Sequence, residues 1–166
     1  MSRPACKHCG KLLVEAGGPM KAPLLLVAEF PGLDEIKTGV PWSGKAGEVL
    51  KKELGRAGIQ YNTCRSTNLW MHQMDPKGCK MSWHIEQLMG EMQDRQGVLL
   101  MGSEVSKFLL GESISDITGL RVKSKNFPKS VKVAVAMYNP AFALRDKVGE
   151  VRLAIERFAE WTEDFR

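Results

Sequence analysis

Polar side chains stand at the ends of two apolar runs that lie more than a hundred residues apart. Glu29 follows the run 24–28, and Asn139 comes two residues after the run 133–137. A proline stands within two residues after each of these polar positions. Proline cannot continue a strand, so each run predicts a buried strand that stops there. The carboxyl ends of parallel strands form a crevice where ligands bind. If the two strands are neighbours, Glu29 and Asn139 face one pocket.

A second pair of residues able to do chemistry, Cys6 and Cys9, lies near the start of the chain. The two cysteines are followed by Gly10 and Lys11, which is the spacing of a knuckle that chelates a metal. A pair supplies only half of a metal site, so the other ligands must come from far along the chain. The chain has four cysteines, and in the reducing compartment we expect for it a disulfide framework is not favoured.

Strand-like and helix-like patterns alternate along the chain, and the resulting elements must position these residues. Buried strands are predicted at Leu24–Glu29, Thr63–Trp70, Gly97–Met101 and Val131–Tyr138. Helices are predicted at Lys45–Ala57, Trp83–Gln93 and Glu104–Leu110 and within Ala141–Phe165, with loops at Phe30–Ser43 and Ile114–Lys129. This order predicts an α/β fold, a three-layer α/β/α domain with a central four-stranded parallel sheet.

The bulk composition fits one globular domain over residues 1–166. Within it, residues 1–21 are predicted to form an N-terminal arm tethered by a metal. Of the 166 residues 43% are hydrophobic and 26% are charged. No apolar run approaches the ~18 residues of a membrane span, so no membrane partner is expected. The N-terminus lacks a signal-peptide core, so we expect an intracellular protein, cytoplasmic and nucleoid-associated, and a monomer. The net charge of +5 fits a polyanionic partner but is weak support for one.

Short motifs follow one another in a specific order along the chain. They are Ala28-Glu29-Phe30-Pro31-Gly32 with Asp34-Glu35 after it, Gly39–Gly47, Thr67-Asn68, Val98–Gly102, and Asn139-Pro140-Ala141 with Leu144-Arg145 after it. Their order and spacing resemble the uracil-DNA glycosylase superfamily, and most closely its family 4, the iron–sulfur bacterial and archaeal type. The resemblance runs from about Cys6 to Phe158.

Two features depart from the family pattern. Asn139 stands where the family has a histidine, although the mismatch-specific branch of the superfamily also carries Asn-Pro-Ser. The cysteines beyond the first pair do not sit where the family has them. The first departure bears on catalysis and the second on the metal.

The resemblance implies an enzyme that hydrolyses the N-glycosidic bond of uracil, or of a related deaminated base, in DNA as part of base excision repair. Glu29 would orient the attacking water and stabilise the cationic sugar. Asn139 would donate its amide hydrogen to O2 of the departing base in place of the histidine. Losing such a donor typically costs ~10²–10³ in rate and exchanging it should cost less, so we expect turnover below the family norm.

The resemblance also implies how the DNA is bound. Asn68 would pair with the Watson–Crick edge of the flipped base, Trp42 would stack on it, and Ala28 and Phe30 would complete the base site. Backbone N–H groups and small side chains where the predicted helix Lys45–Ala57 begins would grip a flanking phosphate. The DNA-binding residues on this interpretation are Ser43, Gly44, Lys45, Ser103 and Arg145.

The family's metal is a 4Fe–4S cluster, and the resemblance implies one here. Counting without gaps from Gly58 to Asn68 places the family's third cysteine at His72, and its fourth falls near Cys79 and His84. The predicted ligands are therefore Cys6, Cys9, His72 and Cys79.

Zinc is the alternative, because three thiolates and one imidazole suit tetrahedral zinc. Recruitment of Cys64 would give four thiolates and favour iron–sulfur, although a free cysteine is usually buried in the core. Either metal would be structural and would hold the N-terminal arm to the loop after the second strand.

Two other functions stay open at this level. The altered first motif and Asn139 are compatible with a catalytically weak or inactive protein that binds DNA or a flipped base without cutting it. A more distant alternative is a zinc-stabilised interaction module with no base pocket.

Overall fold

The computed structural model describes residues 3–73 and 79–166 and contains one parallel sheet. Its strands are β1 (Leu24–Ala28), β2 (Arg65–Asn68), β3 (Gly97–Met101) and β4 (Val133–Met137), in the order β2-β1-β3-β4. Every pair of neighbours is parallel, with Ala28 opposite Asn68, Val27 opposite Leu100, and Met101 opposite Met137. All four carboxyl ends therefore meet at one edge, as the sequence predicted.

Helices cover both faces of this sheet. They are α1 (Leu33–Thr38), α2 (Lys45–Arg56), α3 (Met81–Met92), α4 (Ser103–Val105, continuing as a π-helix over Ser106–Leu110), α5 (Ile114–Ile117) and α6 (Val148–Trp161). Short 3₁₀ turns occupy Tyr61–Thr63, Pro140–Leu144 and Glu163–Phe165.

Residues of each strand alternate between two buried cores, because successive side chains point to opposite faces of a sheet. Leu24, Leu26 and Ala28 of β1 pack with residues of α2 and α6. Leu25 and Val27 pack with residues of α3 and α4. The three-layer α/β/α prediction is confirmed.

Each outer strand of the sheet pairs with a short antiparallel segment. Gly17 of the N-terminal arm bridges to Ser66 of β2, and Arg121 bridges to Val135 of β4. The second contact is extended by hydrogen bonds from the N–H groups of Gly119 and Val122 to carbonyls of β4. Residues 119–122 thus lie along β4, in a stretch that the sequence predicted to be surface loop.

Two predicted loops contain short helices. Helix α1 lies within the predicted loop Phe30–Ser43, and α5 lies within the predicted loop Ile114–Lys129. Neither helix has a buried residue, so neither produces the apolar periodicity from which a helix can be read. The second strand is also shorter than predicted, because a 3₁₀ turn precedes it and the chain leaves the sheet after Asn68.

The helices within the described ranges are all too short or too polar to cross a bilayer.

Candidate active site and metal centre

A pocket of about 170 Å³ opens at the carboxyl edge of the sheet. It is smaller than the ~300–1,000 Å³ of pockets that hold drug-sized ligands, so it suits a single planar ring. Five residues assigned to the site from sequence line it together with four that were not assigned: Ala28, Phe30, Trp42, Asn68 and Asn139, and Gly32, Glu35, Ala46 and Ala141.

Trp42 is held in the pocket wall by an uncommon backbone conformation. Its φ is +58°, and the residue is only 5% exposed. A non-glycine residue in this left-handed region costs energy and is enriched at functional sites. A Cβ at Gly47 would lie 1.9 Å from the carbonyl oxygen of Trp42, so only glycine lets the first turn of α2 approach this backbone. The indole is therefore fixed as one wall of the pocket.

Asn68 supplies the buried amide of the site. It ends β2 opposite Ala28, is 5% exposed, and lines the pocket. An amide carries both an acceptor and a donor, so Asn68 can match a base edge that presents one of each. Phe30, at 41% exposure, lies at the rim.

Glu29 does not line the pocket and is fixed by groups from two segments, the start of α4 and the residues after β4. Its Oε2 accepts a hydrogen bond from the backbone N–H of Glu104, at 3.0 Å, and lies 3.4 Å from Ser103 Oγ. Its Oε1 accepts from Asn139 Nδ2, at 3.4 Å. The Glu29 carboxylate is connected to the pocket by its hydrogen bond with Asn139, which does line it.

Asn139 uses both ends of its amide in the local structure. Its Oδ1 accepts from the N–H of Ala141, at 2.9 Å, and caps the 3₁₀ turn that begins at Pro140. Its Nδ2 faces Glu29. The family resemblance gives this donor to the departing base alone; the structure adds an orienting contact with Glu29.

The predicted phosphate-binding residues divide into two groups. Gly44 caps α2 and Lys45 begins it, with Ser43 just before, so backbone N–H groups are available as predicted. Two carboxylates stand beside them, because a Cβ at Gly44 would lie 2.9 Å from Asp34 Oδ2 and 3.0 Å from Glu35 Oε2. These acids lower the attraction of the helix start for an anion.

Ser103 and Arg145 lie elsewhere. Ser103 contacts Glu29 at the start of α4, so it belongs with the acid. Arg145 is exposed, and its guanidinium lies 5.8 Å from the ring centroid of Phe142. Lys147 is placed similarly over Tyr138, at 5.5 Å. Two cations therefore lie over two aromatic rings in the segment after β4.

Five sulfur and nitrogen donors from the N-terminal arm, the loop after β2 and helix α3 converge on a second site. Cys6 Sγ lies 3.7 Å from Cys79 Sγ, and His72 Nε2 lies 3.4 Å from Cys9 Sγ and 3.2 Å from Cys79 Sγ. The donor atoms of four of them, Cys6, His72, Cys79 and His84, all lie within 4.8 Å of one another. This Cys/His centre could hold a metal, and it contains all four ligands predicted from sequence.

The two buried histidines of the centre differ in their outer hydrogen bonds. His72 Nδ1 donates to the carbonyl of Gln73, at 2.8 Å, which leaves a lone pair on Nε2. His84 Nδ1 instead accepts from the backbone N–H of Met71, at 3.2 Å. Burial, with smaller contributions from His72 and His8, lowers the pKa of His84 to about 4, so its ring is neutral and carries its proton on Nε2.

The cysteines confirm one expectation about the core. Burial, followed by hydrogen bonding and repulsion from Cys6 and Cys9, raises the pKa of Cys79 to about 12, so these thiols cannot all ionise without a cation. Cys64 is 2% exposed and packs in the core under α2, away from the centre, and burial raises the pKa of its thiol to about 11. The structure therefore supports its assignment to the core.

Comparisons with known proteins agree with this geometry. The Uracil DNA glycosylase superfamily matches residues 15–166. The chain belongs to this superfamily. A Type-4 uracil-DNA glycosylase of Pyrobaculum aerophilum is 26% identical over 149 residues, covering 81% of this chain and 74% of the relative. A Type-4 uracil-DNA glycosylase of Thermotoga maritima is 23% identical over 167 residues, covering 95% of this chain and 85% of the relative.

The resemblance drawn from the motifs is thus confirmed, and with it the prediction of a DNA glycosylase, a hydrolase of DNA repair. Membership in the superfamily also accounts for DNA as the substrate class.

In this glycosylase a short stretch of backbone connects the Cys/His centre with the pocket at the edge of the sheet. After β2 the N–H of Leu69 donates to Ala28 O at 2.8 Å, and that of Trp70 donates to Glu29 O at 2.9 Å. His72 follows two residues later. The loop that carries a donor of the centre is therefore bonded to the backbone of the acid.

Four lining residues of the superfamily pocket were not assigned from sequence. Gly32, Ala46 and Ala141 lie within the quoted motifs, but their small side chains carry no chemical signal. Glu35 was quoted only as an acidic position after the first motif. The turn of α1 brings it to the pocket, and α1 itself was not predicted.

Proposed function

We propose that this chain removes uracil from DNA, by hydrolysis of the bond between the base and C1′ of its sugar, and leaves an abasic site. The observation that carries the proposal is the joint placement of Trp42, Asn68 and Asn139 around one pocket, with Glu29 bonded to Asn139 behind it. An indole, two amides and an acid from four separate segments suit one extruded pyrimidine.

The proposed reaction uses Glu29 to direct water. Donors from Glu104 and Asn139 hold its two oxygens, so the carboxylate is oriented before substrate binds. The oxygen of the water bonds to C1′ as the C1′–N1 bond breaks, and the bonding electron pair leaves with the base. The carboxylate accepts a proton from the water and stabilises the positive charge on the sugar.

The base is recognised by an amide and an aromatic face. Asn68 offers a donor and an acceptor to the N3–H and O4 edge of uracil, and Trp42 stacks on the ring. Stacking of this kind is worth ~1–3 kcal/mol. Asn139 donates to the departing base. Because its amide also serves Glu29, it stabilises the leaving base less than a free donor would.

The surrounding surface suits DNA held in this orientation. Ser43, Gly44 and Lys45 at the start of α2 would contact one flanking phosphate, and Arg145 would contact another. We expect the protein to act as a monomer at the nucleoid.

We further propose that the Cys/His centre is structural. The family resemblance implies a 4Fe–4S cluster there, with zinc as the alternative. A bound metal would supply folding free energy by tying the arm at Cys6 and Cys9 to the loop at His72.

The test is an alkali-cleavage assay on single-stranded DNA with one uracil. The native chain should yield alkali-labile breaks at the uracil and none at thymine. Glu29→Gln, which keeps the shape of the side chain, should lower the cleavage rate by ~10²–10⁴ while DNA binding is retained. Glu86→Gln, an exposed position on α3, is the matched control and should cleave normally.

The assay also separates the alternative function. Binding of the uracil-containing strand without any breaks would identify a non-catalytic DNA-binding member of the superfamily. Full activity in Glu29→Gln would remove the assigned role from that acid.

A further inference from the structure

We propose that the Cys/His centre binds a single zinc ion, and not the 4Fe–4S cluster that the family resemblance implies. Its ligands are Cys6, Cys9, Cys79 and His72, and His84 is a positioning residue that donates an N–H to the Cys79 thiolate. The inference concerns the metal alone and is independent of the glycosylase activity.

The distances between the donor atoms fit a single zinc ion. Zinc binds sulfur at about 2.3 Å and nitrogen at about 2.0–2.1 Å, so two ligands of one tetrahedral ion lie about 3.3–3.8 Å apart. The sulfurs of Cys6 and Cys79 are 3.7 Å apart, and His72 Nε2 is 3.4 Å and 3.2 Å from the sulfurs of Cys9 and Cys79. The spacing fits one ion at the centre of the group.

The same distances exclude the cluster. In a 4Fe–4S centre each thiolate binds a different iron, so the ligand atoms must be separated by the width of the cluster itself. Here the donor atoms of Cys6, His72 and Cys79, three of the four proposed ligands, lie within 4.8 Å of one another, and the fourth, Cys9 Sγ, lies 3.4 Å from His72 Nε2. These separations leave room for a single ion between the ligands.

The arm around Cys6 has the backbone of a metal knuckle. Ala5 and Leu12 form an antiparallel bridge, and Gly10, with a φ of +77°, closes the turn by donating its N–H to the carbonyl of Cys6, at 2.7 Å. This turn holds the thiol of Cys6 beside that of Cys79, at 3.7 Å.

The outer hydrogen bonds decide between the two histidines. A ligating imidazole normally donates its other N–H to an acceptor, as His72 does to the carbonyl of Gln73. His84 Nδ1 accepts the N–H of Met71, so its Nε2 carries the proton and cannot offer a lone pair. That Nε2 lies 3.3 Å from Cys79 Sγ, within reach of a hydrogen bond to the sulfur.

Charge supports the same arrangement. Three thiolates and one zinc ion leave a net charge of about −1 on the site, which is disfavoured when the ligands are largely buried. An N–H donor from His84 to one thiolate disperses part of that charge. The Cys79 sulfur lies 3.2 Å from His72 Nε2 and 3.3 Å from His84 Nε2, so it can bind the ion beside His72 and accept a hydrogen bond from His84.

The first experiment measures metal and sulfide in the full chain purified without added metal under anaerobic conditions. We expect about one zinc per chain, with neither iron nor acid-labile sulfide and no visible absorption. X-ray absorption at the zinc edge should give three sulfur ligands at about 2.3 Å and one nitrogen at about 2.0 Å. Iron with sulfide and visible bands, or a chain with no metal, would overturn the assignment of zinc.

The second experiment separates ligand from positioning residue by titrating zinc out with a colorimetric chelator. His84→Gln should still bind one zinc, with affinity lowered ~10–100-fold, whereas His72→Gln should lose the stoichiometric site. Cys64→Ser, a core cysteine away from the centre, is the control and should bind as the native chain does. Loss of zinc in His84→Gln with retention in His72→Gln would overturn the ligand assignment. If the variants do not fold, two sulfurs and two nitrogens at the zinc edge of the native chain would overturn it equally.

Discussion

Gly102 makes room for the carboxylate of Glu29. A Cβ at Gly102 would lie 2.2 Å from Glu29 Cδ and 2.3 Å from its Oε1. Gly102 has a φ of +108° and precedes α4, whose backbone N–H at Glu104 holds the same carboxylate. The end of β3 is thus shaped around the acid that ends β1.

Gly102→Ala should therefore lower activity more than stability. The added methyl group must push the Glu29 carboxylate aside, and a displacement of about 1 Å in a catalytic group can cost ~10²-fold in rate. We expect kcat to fall by about that factor in the uracil-cleavage assay, with DNA affinity retained. Gly111→Ala is the control, since Gly111 also has a positive φ but has no atom within 4 Å of the added Cβ. Gly102 also has a ψ of 161° and is the more strained position for alanine, so a thermal melt of each variant measures the backbone cost separately. A folded Gly102→Ala variant with native kcat would contradict the displacement of Glu29.

Alanine substitutions at two glycines of α2 should have different effects, one on DNA binding and the other on stability. Gly47→Ala places a Cβ 1.9 Å from the carbonyl oxygen of Trp42, so it should displace the indole and weaken binding of uracil-containing DNA. Gly55→Ala meets no atom within 4 Å and should stabilise the fold by ~0.5–1 kcal/mol, because alanine favours a helix. Thermal melts and DNA titrations of both variants would check this. Retained affinity in Gly47→Ala would argue against a stacking role for Trp42.

Asn139→Asp isolates the donor of that residue. The aspartate keeps an oxygen to cap Ala141 N–H, so stability should change by less than about 1 kcal/mol. Its second oxygen replaces the NH₂ group that faces Glu29 at 3.4 Å, and two carboxylates so close cannot both ionise readily. We expect cleavage to fall ~10²–10³-fold at neutral pH. Asn139→Ser keeps a capping oxygen and also lacks the amide donor, but it adds no charge, so the extra loss in the aspartate variant measures the repulsion. Equal activities in the two variants would show that loss of the donor alone accounts for the effect.

Asp34→Asn should tighten DNA binding. Asp34 is exposed beside Gly44 at the start of α2, where it opposes a phosphate. Removing one surface charge of this kind is worth about 0.5 kcal/mol, roughly a twofold gain in affinity that fades as salt is raised. Fluorescence anisotropy at two salt concentrations would measure it. Asp164→Asn, exposed near the C-terminus, is the control. The same gain in affinity in both variants would show that the net charge of the protein, and not the position of Asp34, is responsible.

An ion-pair network between β2 and α3 should make stability depend on pH. Burial alone would raise the pKa of Glu91, but hydrogen bonds and charge from Arg65 and Arg95 outweigh burial and hold it below its usual value. A lowered folded-state pKa stabilises the fold above the unfolded-state value, and this contribution is lost as pH falls through the folded-state value.

Glu91→Gln should thus lower the free energy of unfolding at pH 7 by ~1–3 kcal/mol. This is the range for hydrogen bonds to charged groups, reduced somewhat because solvent screens a partly exposed carboxylate. The difference from the native chain should shrink in acid, below the usual carboxyl range. Urea unfolding at both pH values would measure it. A constant difference would show that the shape of the side chain, and not its charge, matters.

The strands and the convergence of the site residues could be predicted from the sequence, because they depend on long apolar runs and on motif order. The strand Gly97–Met101 matches residue for residue, and the convergence of Asn68 and Asn139 on one pocket follows from parallel strands ending at a common edge. These features are encoded locally, since burial of both faces of a strand leaves an apolar run that can be read directly.

Contacts between side chains from distant segments could not be read in this way. The bond between Asn139 and Glu29 depends on how two loop ends turn, and Glu35 reaches the pocket through a helix with no buried face. The tautomer of His84 depends on the position of one backbone N–H, that of Met71. No residue pattern reports that distance.

The short antiparallel partners of β2 and β4 have a consequence for behaviour at high concentration. An outer strand with free backbone groups invites another chain to add to it, which is a common start of aggregation. Here Gly17 and Arg121 pair with those margins at Ser66 and Val135. These contacts occupy part of both margins and so disfavour strand addition there, and a truncation that removes residues 1–17 would expose the margin at β2.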